Sequence, residues 1–360
     1  MEKVILIDGN NILFRSYYAT AYNGNFMKNS KGFPTNAIFG LANMINKIIA
    51  EEKPKYMIVA FDKGKTFRHE KYSDYKGGRM ATPDELKVQF PKAKEMLDAM
   101  GIKYYEIDNY EADDVIGTFS KYCDMDDNYD GLIVSSDKDL LQLISDEVNV
   151  KLLKQSGYIM MDKKEFYNTY KTEPIKMIDL KALMGDPSDH IPGVKGIGEK
   201  TAISLISKYG SLDGVYNNLD DISLKTREKL INDKENAYMS YDIATIYKDV
   251  DLGFDLEDCK YNGYKVEDFK KQLEDLEFYS LLKKIDFPSL ENNTVSKKED
   301  NNISIKDIKD FSNKNFSFYI ETRGEVYSKS EILGIGIYDG ENGYFLNVED
   351  ISKYKDLFIT

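Results

Sequence analysis

Nine acidic residues fall in five tight groups, and four of these groups come at or just after a short hydrophobic run. The acids are Asp8; Asp62; Glu111, Asp113 and Asp114; Asp137 and Asp139; and Asp186 and Asp189. The hydrophobic runs are typical of buried strands, and in an open parallel sheet the carboxyl ends of the strands meet at one ligand-binding crevice. Crowded carboxylates repel one another strongly unless cations lie between them. The sequence therefore predicts a multi-metal site.

Helix capping is the alternative explanation for each group taken alone. Glu111 and Asp114 lie three positions apart at a predicted helix start, where acidic side chains suit the positive end of the helix dipole. Asp137 and Asp139 can likewise be a cap and a first-turn acid. One capping acid explains one carboxylate, however, and gives no reason for several groups to be multiply acidic.

The predicted ligands are all oxygen atoms, and such ligands select Mg²⁺ or Mn²⁺ before zinc or copper. Two cysteines and two histidines, Cys123, Cys259, His69 and His190, are too few for thiolate chemistry. Two ions roughly 4 Å apart activate a water molecule and stabilise the leaving oxygen of a phosphodiester. Lys76 and Arg79 can supply charge to the scissile phosphate, with ordinary surface exposure as the alternative.

The composition describes a globular chain of 360 residues with a net charge of −13. No apolar run approaches the ~20 residues that span a bilayer, and the N-terminus lacks the features of a signal peptide. We therefore expect a cytoplasmic protein with no membrane partner. The net charge alone argues against nucleic acid, but residues 63–94 hold nine Lys or Arg against four acids. That segment is either a basic rim for DNA or a solvated surface loop.

The pattern of hydrophobic residues predicts three parts and one linker. Residues 1–172 alternate strands with helices, which predicts an α/β domain with a mainly parallel sheet. Its strands are expected at 4–7, 56–61, 102–107, 131–136 and 148–153, and its clearest helix at 37–50. Residues 173–287 read as a helical subdomain, 288–303 as a polar linker, and 304–360 as an incomplete third domain with strands at 316–320 and 333–338.

A glycine-rich segment at residues 193–201 predicts a hairpin between two helices. It does not match a P-loop, because Glu199 separates the second motif glycine from Lys200. In a helix-hairpin-helix, glycines let the backbone approach a phosphate, and the next helix donates free N–H groups without reading sequence. The predicted DNA-binding residues are Lys195, Gly196, Gly198, Lys200 and Thr201. A plain glycine-rich turn between helices is the alternative.

Residues 126–137 partly match a calcium-binding loop, because they begin Asp126-Asp127-Asn128. The twelfth position holds Asp137 where such loops carry Glu, and a strand-like run follows directly. Ordinary turn chemistry explains the segment without an ion.

Several long motifs, in order and suitably spaced, resemble the 5′ nuclease region of bacterial DNA polymerase I over residues 1 to about 287. They are Asp8-Gly9-Asn10, Pro34-Thr35-Asn36-Ala37, Phe61-Asp62, Phe67-Arg68-His69-Glu70, Tyr75-Lys76, Glu111-Ala112-Asp113-Asp114, Ser136-Asp137-Lys138-Asp139, the run from Gly185 to Gly193, and the hairpin. The resemblance implies a PIN-like fold. It also implies a structure-specific 5′→3′ exonuclease and flap endonuclease that removes flaps and RNA primers in replication and repair.

The same resemblance implies roles for individual residues. Asp8, Asp62, Glu111, Asp113 and Asp114 would hold one metal ion, and Asp137, Asp139, Asp186 and Asp189 would hold or orient the second. Arg68, Lys76 and Arg79 would act catalytically, within a basic stretch that forms part of an arch over the 5′ strand. A K⁺ ion would bind backbone carbonyls of the hairpin. The expected partners are DNA with 5′ flaps, nicks or gaps and RNA-primed DNA, bound by a nucleoid-associated monomer.

The third part resembles the start of a 3′→5′ exonuclease-like domain, an RNase H-like α/β fold. Active members carry an Asp-x-Glu pair, and this chain has Tyr319-Ile320-Glu321, so loss of the first acid removes a metal ligand. A non-catalytic binder of branched or nicked DNA is the alternative function for the chain. It would be indicated by loss of one or more of the nine acids, and none is missing.

Overall fold

The computed structural model describes residues 1–21, 26–285, 287, 317–323, 331–338 and 343–347. Contacts between Cα atoms divide the chain into two compact units, residues 1–288 and 289–360.

The first unit contains a six-stranded sheet in the order β3-β2-β1-β4-β5-β6. Its strands are β1 Glu2–Asp8, β2 Tyr56–Ala60, β3 Lys103–Tyr105, β4 Tyr129–Ser135, β5 Val148–Leu153 and β6 Tyr158–Met161. Strands β1 to β5 are parallel, and β6 pairs antiparallel with β5. The predicted mainly parallel sheet is confirmed. Strand β6 was not predicted, because its residues 158–160 are exposed on the sheet edge and show no buried alternation.

Helices cover both faces of this sheet. They are α1 Gly9–Thr20, α2 Asn36–Glu52, α3 Phe67–Lys71, α4 Asp84–Lys87, α5 Gln89–Ala99, α6 Ala112–Asp124 and α7 Lys163–Tyr170. Alternate residues of β1 point to opposite faces: Ile5 and Ile7 pack in one hydrophobic cluster with α1, α2 and α5, and Val4 and Leu6 pack in another with α6. The central strands are thus buried on both sides, which explains their continuous apolar runs.

The rest of the first unit is helical, as predicted. The helices are α8 Met177–Met184, α9 Glu199–Tyr209, α10 Leu212–Asn217, α11 Leu224–Asn232, α12 Lys234–Ala244, α13 Val266–Asp275 and α14 Tyr279–Lys284. The apolar spacing at 266–285 suggested one run, but the structure breaks it into α13 and α14 near Glu277, whose φ is 61°. Helix α8 packs against α12 and α9, so the hairpin that follows α8 is held by the core of this helical part.

The described residues of the second unit form an antiparallel sheet in the order β7-β8-β9. Strand β7 is Ser317–Arg323, β8 is Glu331–Tyr338 and β9 is Gly343–Asn347. Two of these strands fall where strands were expected, although position 316 and the predicted linker at 288–303 lie outside the described residues. The RNase H-like assignment of this part stays a prediction. Among the described residues, none of the helices has the length and apolar character needed to cross a membrane.

Candidate active site

The carboxyl edge of the sheet gathers acids from distant parts of the chain into one cleft of about 160 Å³. Asp8 is the last residue of β1, while Asp62 and Asp137 each follow a strand end by two positions. Asp113 lies in the first turn of α6, which starts directly after the N-cap residue Glu111. The cleft is lined by Asp8, Asp62, Glu111, Asp113, Asp137 and Asp189, with Asn10, Asn11, Phe14, Lys76 and Arg79. Six of the nine predicted metal ligands therefore share one hollow.

Hydrogen bonds from neighbouring turns fix two of these acids at the floor of the cleft. Asp8 accepts from the backbone N–H of Asn11 at 2.9 Å and from the Ser135 hydroxyl at 3.0 Å. Asp62 accepts from the backbone N–H of Ala112 at 2.9 Å and from the Asn10 amide at 3.1 Å. Asp8 is thus both the N-cap of α1 and a wall of the cleft, while Asp62, which also lines the cleft, binds the first N–H of α6. The capping and metal explanations are compatible here.

The acids in the cleft are buried and crowded. Burial, together with the nearby Asp62 and Asp137 carboxylates, raises the pKa of Asp8 from its ordinary 3.8 to about 7. Burial also raises the pKa of Asp113 well above its ordinary value, and Asp137, Asp8 and Glu111 raise it further. Each shift means that the charged form is disfavoured until a cation compensates it.

The cleft acids fit a hard divalent cation, because each of their side chains offers carboxylate oxygen atoms as ligands. Among the described residues, however, no three acidic, cysteine or histidine side chains are already arranged so that they could hold one ion. Two basic side chains of the protein occupy part of the space between these acids. Lys76 and Arg79 reach into the same cleft and pair with two of its acids.

Lys76 and Arg79 lie on a turn that is fastened over the cleft. Lys76 Nζ is 2.7 Å from Glu111 Oε1, and its backbone N–H donates to the Asp189 carbonyl at 2.9 Å. Burial opposes the charge of Lys76, but Glu111, Asp62 and Asp189 outweigh it and raise its pKa above the ordinary value. Arg79 pairs with Asp189 and remains about half exposed. Both predicted cations therefore face the acids, where a phosphate would carry its charge.

The sequence prediction gave Arg68 a catalytic role. Its side chain is only 3% exposed, and its two terminal nitrogens each lie 2.7 Å from an oxygen of Asp114. It also donates to the Ile243 and Thr245 carbonyls at the end of α12. Arg68 therefore joins α3, α6 and α12 and also lies 3.7 Å from the cleft acid Glu111, so its position is that of a buried support and its catalytic role stays a prediction.

Asp114 was predicted to be a metal ligand, and the structure places it outside the cleft. Both of its oxygens are taken by Arg68, and it further accepts from the backbone N–H groups of Glu111 and Tyr247 at 3.0 and 2.9 Å. It closes a capping box with Glu111 at the start of α6. Capping and the buried ion pair account for these contacts, and the role of Asp114 as a metal ligand stays a prediction.

We expect Arg68→Met to lower the free energy of unfolding by about 3–5 kcal/mol, because it leaves Asp114 charged and buried without its partner. Urea denaturation of the full chain measures the loss. Lys71→Met is the matched control on the same helix, because Lys71 pairs with Asp242 at the surface and its loss should cost about 1 kcal/mol or less. A cost for Arg68→Met no larger than that of the control would contradict the structural role.

Asp139 and Asp186, two acids predicted for the second metal ion, lie beside the cleft and share a lysine. Lys181 Nζ is 2.5 Å from Asp139 Oδ1 and also pairs with Asp186 Oδ2. The other oxygen of Asp186 accepts from the Ser188 backbone and hydroxyl at 2.8 and 2.6 Å. Burial and the Asp137 carboxylate raise the pKa of Asp139 to about 7, against the opposite effect of Lys181. Sequence reasoning missed Lys181, since a lysine within a helix is usually solvated.

The hairpin between α8 and α9 presents the predicted DNA-binding residues at the surface. Lys195, Gly196, Gly198, Lys200 and Thr201 are all exposed around the start of α9. Gly193 anchors the turn: its φ is 59°, and a Cβ there would lie 2.2 Å from the Gly185 nitrogen, so only glycine fits. The Val194 N–H donates to the Leu183 carbonyl at 2.9 Å, which ties the hairpin to α8.

Three carbonyl oxygens of the hairpin, where a K⁺ ion was expected, already accept hydrogen bonds. The Gly196 carbonyl accepts from Lys229 Nζ at 2.7 Å, the Val194 carbonyl accepts from Ile197 N–H at 3.0 Å, and the Gly198 carbonyl is engaged within α9. The Lys229 ammonium thus lies at the Gly196 carbonyl. The K⁺ ion stays a prediction.

Local contacts assign roles to Tyr75 and to the segment 126–137. Tyr75, which was quoted only as part of a motif, donates to Glu111 Oε2 at 2.9 Å and lies 3.4 Å from Asp189 Oδ2, so it orients two cleft acids. Strand β4 occupies positions 129–135 of the possible calcium loop at 126–137, and Asp126 accepts from the Asn128 N–H at 3.0 Å. This is turn chemistry, as the sequence suggested.

Two family models match adjoining parts of the chain. The 5′-3′ exonuclease N-terminal resolvase-like domain matches residues 3–171, and the 5′-3′ exonuclease C-terminal SAM fold matches residues 172–267. The chain belongs to the 5′-3′ exonuclease family. The acidic cleft lies within the first match and the hairpin within the second.

DNA polymerases I of two bacteria are similar to this chain along nearly all of its length. That of Streptococcus pneumoniae is 40% identical over 350 residues, which cover 95% of this chain and 39% of the relative. That of Bacillus subtilis is 37% identical over 369 residues, covering 99% and 41%. The chain thus spans about two fifths of the length of these relatives.

Solved nuclease structures share the fold. A bacteriophage T5 5′-exonuclease with bound zinc ions is 23% identical, with 77% of this chain and 99% of that chain covered and a TM-score of 0.54. A T5 flap endonuclease in a complex with DNA and metal ions is 24% identical, covers 77% and 100%, and has a TM-score of 0.55. The catalytic core of Rad2 in complex with DNA substrate is 20% identical, covers 76% and 87%, and has a TM-score of 0.52.

Proposed function

We propose that this chain is a divalent-metal-dependent 5′ nuclease that hydrolyses phosphodiester bonds at 5′ flaps, nicks and gaps in DNA. One observation carries the proposal: acids that follow three separate strands, together with the first turn of α6, line a single cleft under Lys76 and Arg79. Membership of the 5′-3′ exonuclease family supports the direction of cleavage. The T5 and Rad2 complexes, which contain metal ions or DNA, support the classes of cofactor and substrate.

The residues proposed to hold divalent ions are Asp8, Asp62, Glu111, Asp113 and Asp137, with Mg²⁺ or Mn²⁺ as the cofactor. Such ions activate water and stabilise a leaving alkoxide when they are bound. Asp189 belongs to the cleft but is held by Arg79 and Tyr75, which suits an orienting role. At the proposed second metal site, Lys181 already pairs with Asp139 and Asp186, so a second ion would compete with this lysine.

The side chains around these acids are proposed to position the substrate. Lys76 and Arg79 neutralise the scissile phosphate, and the contact of Lys76 with Glu111 keeps its ammonium at the cleft in advance. Tyr75 holds Glu111 and Asp189 in fixed orientations. The exposed start of α9 and the hairpin bind the DNA backbone without reading its sequence.

We extend the proposal to RNA-primed DNA, and to a place in a longer DNA polymerase I-like protein of replication and repair. The extension rests on the similarity to DNA polymerases I, of which this chain spans about two fifths. The monomeric state, the nucleoid location and the 3′→5′ exonuclease-like assignment of residues 304–360 stay predictions.

A flap assay tests the proposed activity. A flap substrate labelled at its 5′ end is incubated with the full chain in Mg²⁺ or in EDTA, and products are separated by gel. We expect short labelled products in Mg²⁺ and none in EDTA, because the cleft acids need a cation to act on a phosphate. Binding of the flap with no cleavage in Mg²⁺ would favour the alternative, a non-catalytic binder of branched DNA.

A further inference from the structure

Lys181 is a buried lysine in contact with two acids that come from different segments. It lies near the end of α8, and its side chain is 6% exposed. Its ammonium lies between Asp139, which follows β4, and Asp186, which lies in the loop after α8. One positive charge is thus enclosed with two negative charges at the side of the proposed active site.

The contact with Asp139 has the distance of an ion pair without the direction of a hydrogen bond. Lys181 Nζ is 2.5 Å from Asp139 Oδ1, and yet this buried oxygen accepts no hydrogen bond. Buried carboxylate oxygens are normally hydrogen-bonded or bound to a cation. The ammonium therefore compensates the charge of Asp139 without a well-directed hydrogen bond to this oxygen, and a divalent ion at this oxygen would have to displace it.

Four of the six cleft acids differ from this pair, whereas Glu111 and Asp189 are paired with Lys76 and Arg79. Among the described residues, Asp8, Asp62, Asp113 and Asp137 make no ion pair with a lysine or arginine, whereas Asp139 and Asp186 both do. An incoming divalent ion meets uncompensated oxygens in the first set. In the second set it must compete with a cation that the chain supplies itself.

We propose that Lys181 is a built-in counter-ion at the Asp139–Asp186 pair. It positions the two carboxylates in the DNA-free protein and weakens the binding of a second divalent ion there, so that the cleft takes one ion tightly and another only weakly. The inference rests on the proposed function, because it assumes that the cleft binds divalent ions. It assigns Lys181 as a positioning residue and not as a catalytic one.

Calorimetric titration of the full chain with Mn²⁺ tests the inference directly. In the native protein we expect one tight and one weak site. Lys181→Met removes the charge at similar length, and we expect the weak site to become about 10- to 100-fold tighter, because a positive charge a few ångströms from the ion is lost. Lys176→Met is the matched control on the preceding turn, because Lys176 pairs with Asp179 outside this group and its loss should leave both sites unchanged.

Thermal unfolding gives a second readout that needs no cleavage. In EDTA we expect Lys181→Met to melt below the native protein, because two buried carboxylates face each other uncompensated. Mn²⁺ should restore most of the difference and raise the melting temperature of the variant more than that of the native protein. If Lys181→Met is unfolded in both buffers, the same comparison is made between D139N and D139N/K181M, which carry one buried negative charge fewer. The double variant D139N/K181M should then bind Mn²⁺ more tightly than D139N does.

Unchanged or weaker Mn²⁺ binding by the lysine-free variants would overturn the inference and leave Lys181 as a mere support for the two acids. Failure of the proposed function gives a different pattern, in which the native protein binds no Mn²⁺ and cuts no flap. A protein that cuts flaps, while removal of Lys181 leaves both Mn²⁺ sites as they were, would retain the function and lose only the inference.

Discussion

Asp113→Ala is expected to lower the rate of flap cleavage by roughly 10³-fold or more, while flap binding in Ca²⁺ persists. Asp113 lines the cleft from the first turn of α6 and has no ion pair with a lysine or arginine among the described residues, so its oxygens are available to a metal ion. Single-turnover cleavage in Mg²⁺ and equilibrium binding in Ca²⁺ measure the two effects separately.

Stability distinguishes this effect from damage to the fold. The folded-state pKa of Asp113 is raised, so its charged form opposes folding at any pH above its ordinary value. Replacing it with alanine should therefore not lower the melting temperature near pH 8 in EDTA. Asp124→Ala, at the exposed end of the same helix, is the control and should cleave normally. Cleavage by Asp113→Ala at the native rate would show that the metal assignment is wrong.

Lys76→Met is expected to reduce turnover by about 10²- to 10³-fold, with flap affinity changed only a few-fold. The ammonium lies 2.7 Å from Glu111 and its side chain is 17% exposed, so it lies inside the cleft, where we propose that the reacting phosphate binds, and not at the outer rim. A charge held in this position stabilises the transition state more than the bound substrate. Single-turnover rates in Mg²⁺ and flap binding in Ca²⁺ again separate the effect on turnover from the effect on affinity.

A rim lysine should behave in the opposite way. Lys63 is about half exposed and pairs with Asp108. Lys63→Met should therefore weaken flap binding slightly and leave turnover unchanged, and the loss of affinity should disappear at low salt. If Lys76→Met shows that same pattern, with a loss of affinity that vanishes at low salt, then Lys76 serves backbone attraction alone.

The sequence was informative about the elements because their hydrophobic periods are strong. Parallel strands buried on both faces produce unbroken apolar runs, so strands β1, β2, β4 and β5 and helix α2 were predictable. The short, exposed edge strand β6 gave no such signal. The break between α13 and α14 was also hidden, because a positive φ at Glu277 has no sequence marker there.

Some residues of the site could likewise be predicted from the sequence, and others could not. Acids at strand ends could be assigned to one cleft, because the geometry of a parallel sheet forces those ends together. The partners of charged side chains could not be assigned. Arg68 lies in a basic segment and looked available to a phosphate, but it is buried against Asp114, 46 positions away. Lys181 was not singled out, because a lysine within a helix is usually solvated. Pairing of charges depends on tertiary contacts, which periodicity does not encode.

An anomalous difference map from crystals grown with Mn²⁺ tests the shared metal cleft most directly. We expect a strong peak bounded by the carboxylates of Asp8, Asp113 and Asp137, and a weaker peak or none beside Asp139 and Asp186. Peaks confined to other surfaces, with no Mn²⁺ among the acids at the strand ends, would contradict the proposal that this cleft breaks the nucleic-acid backbone.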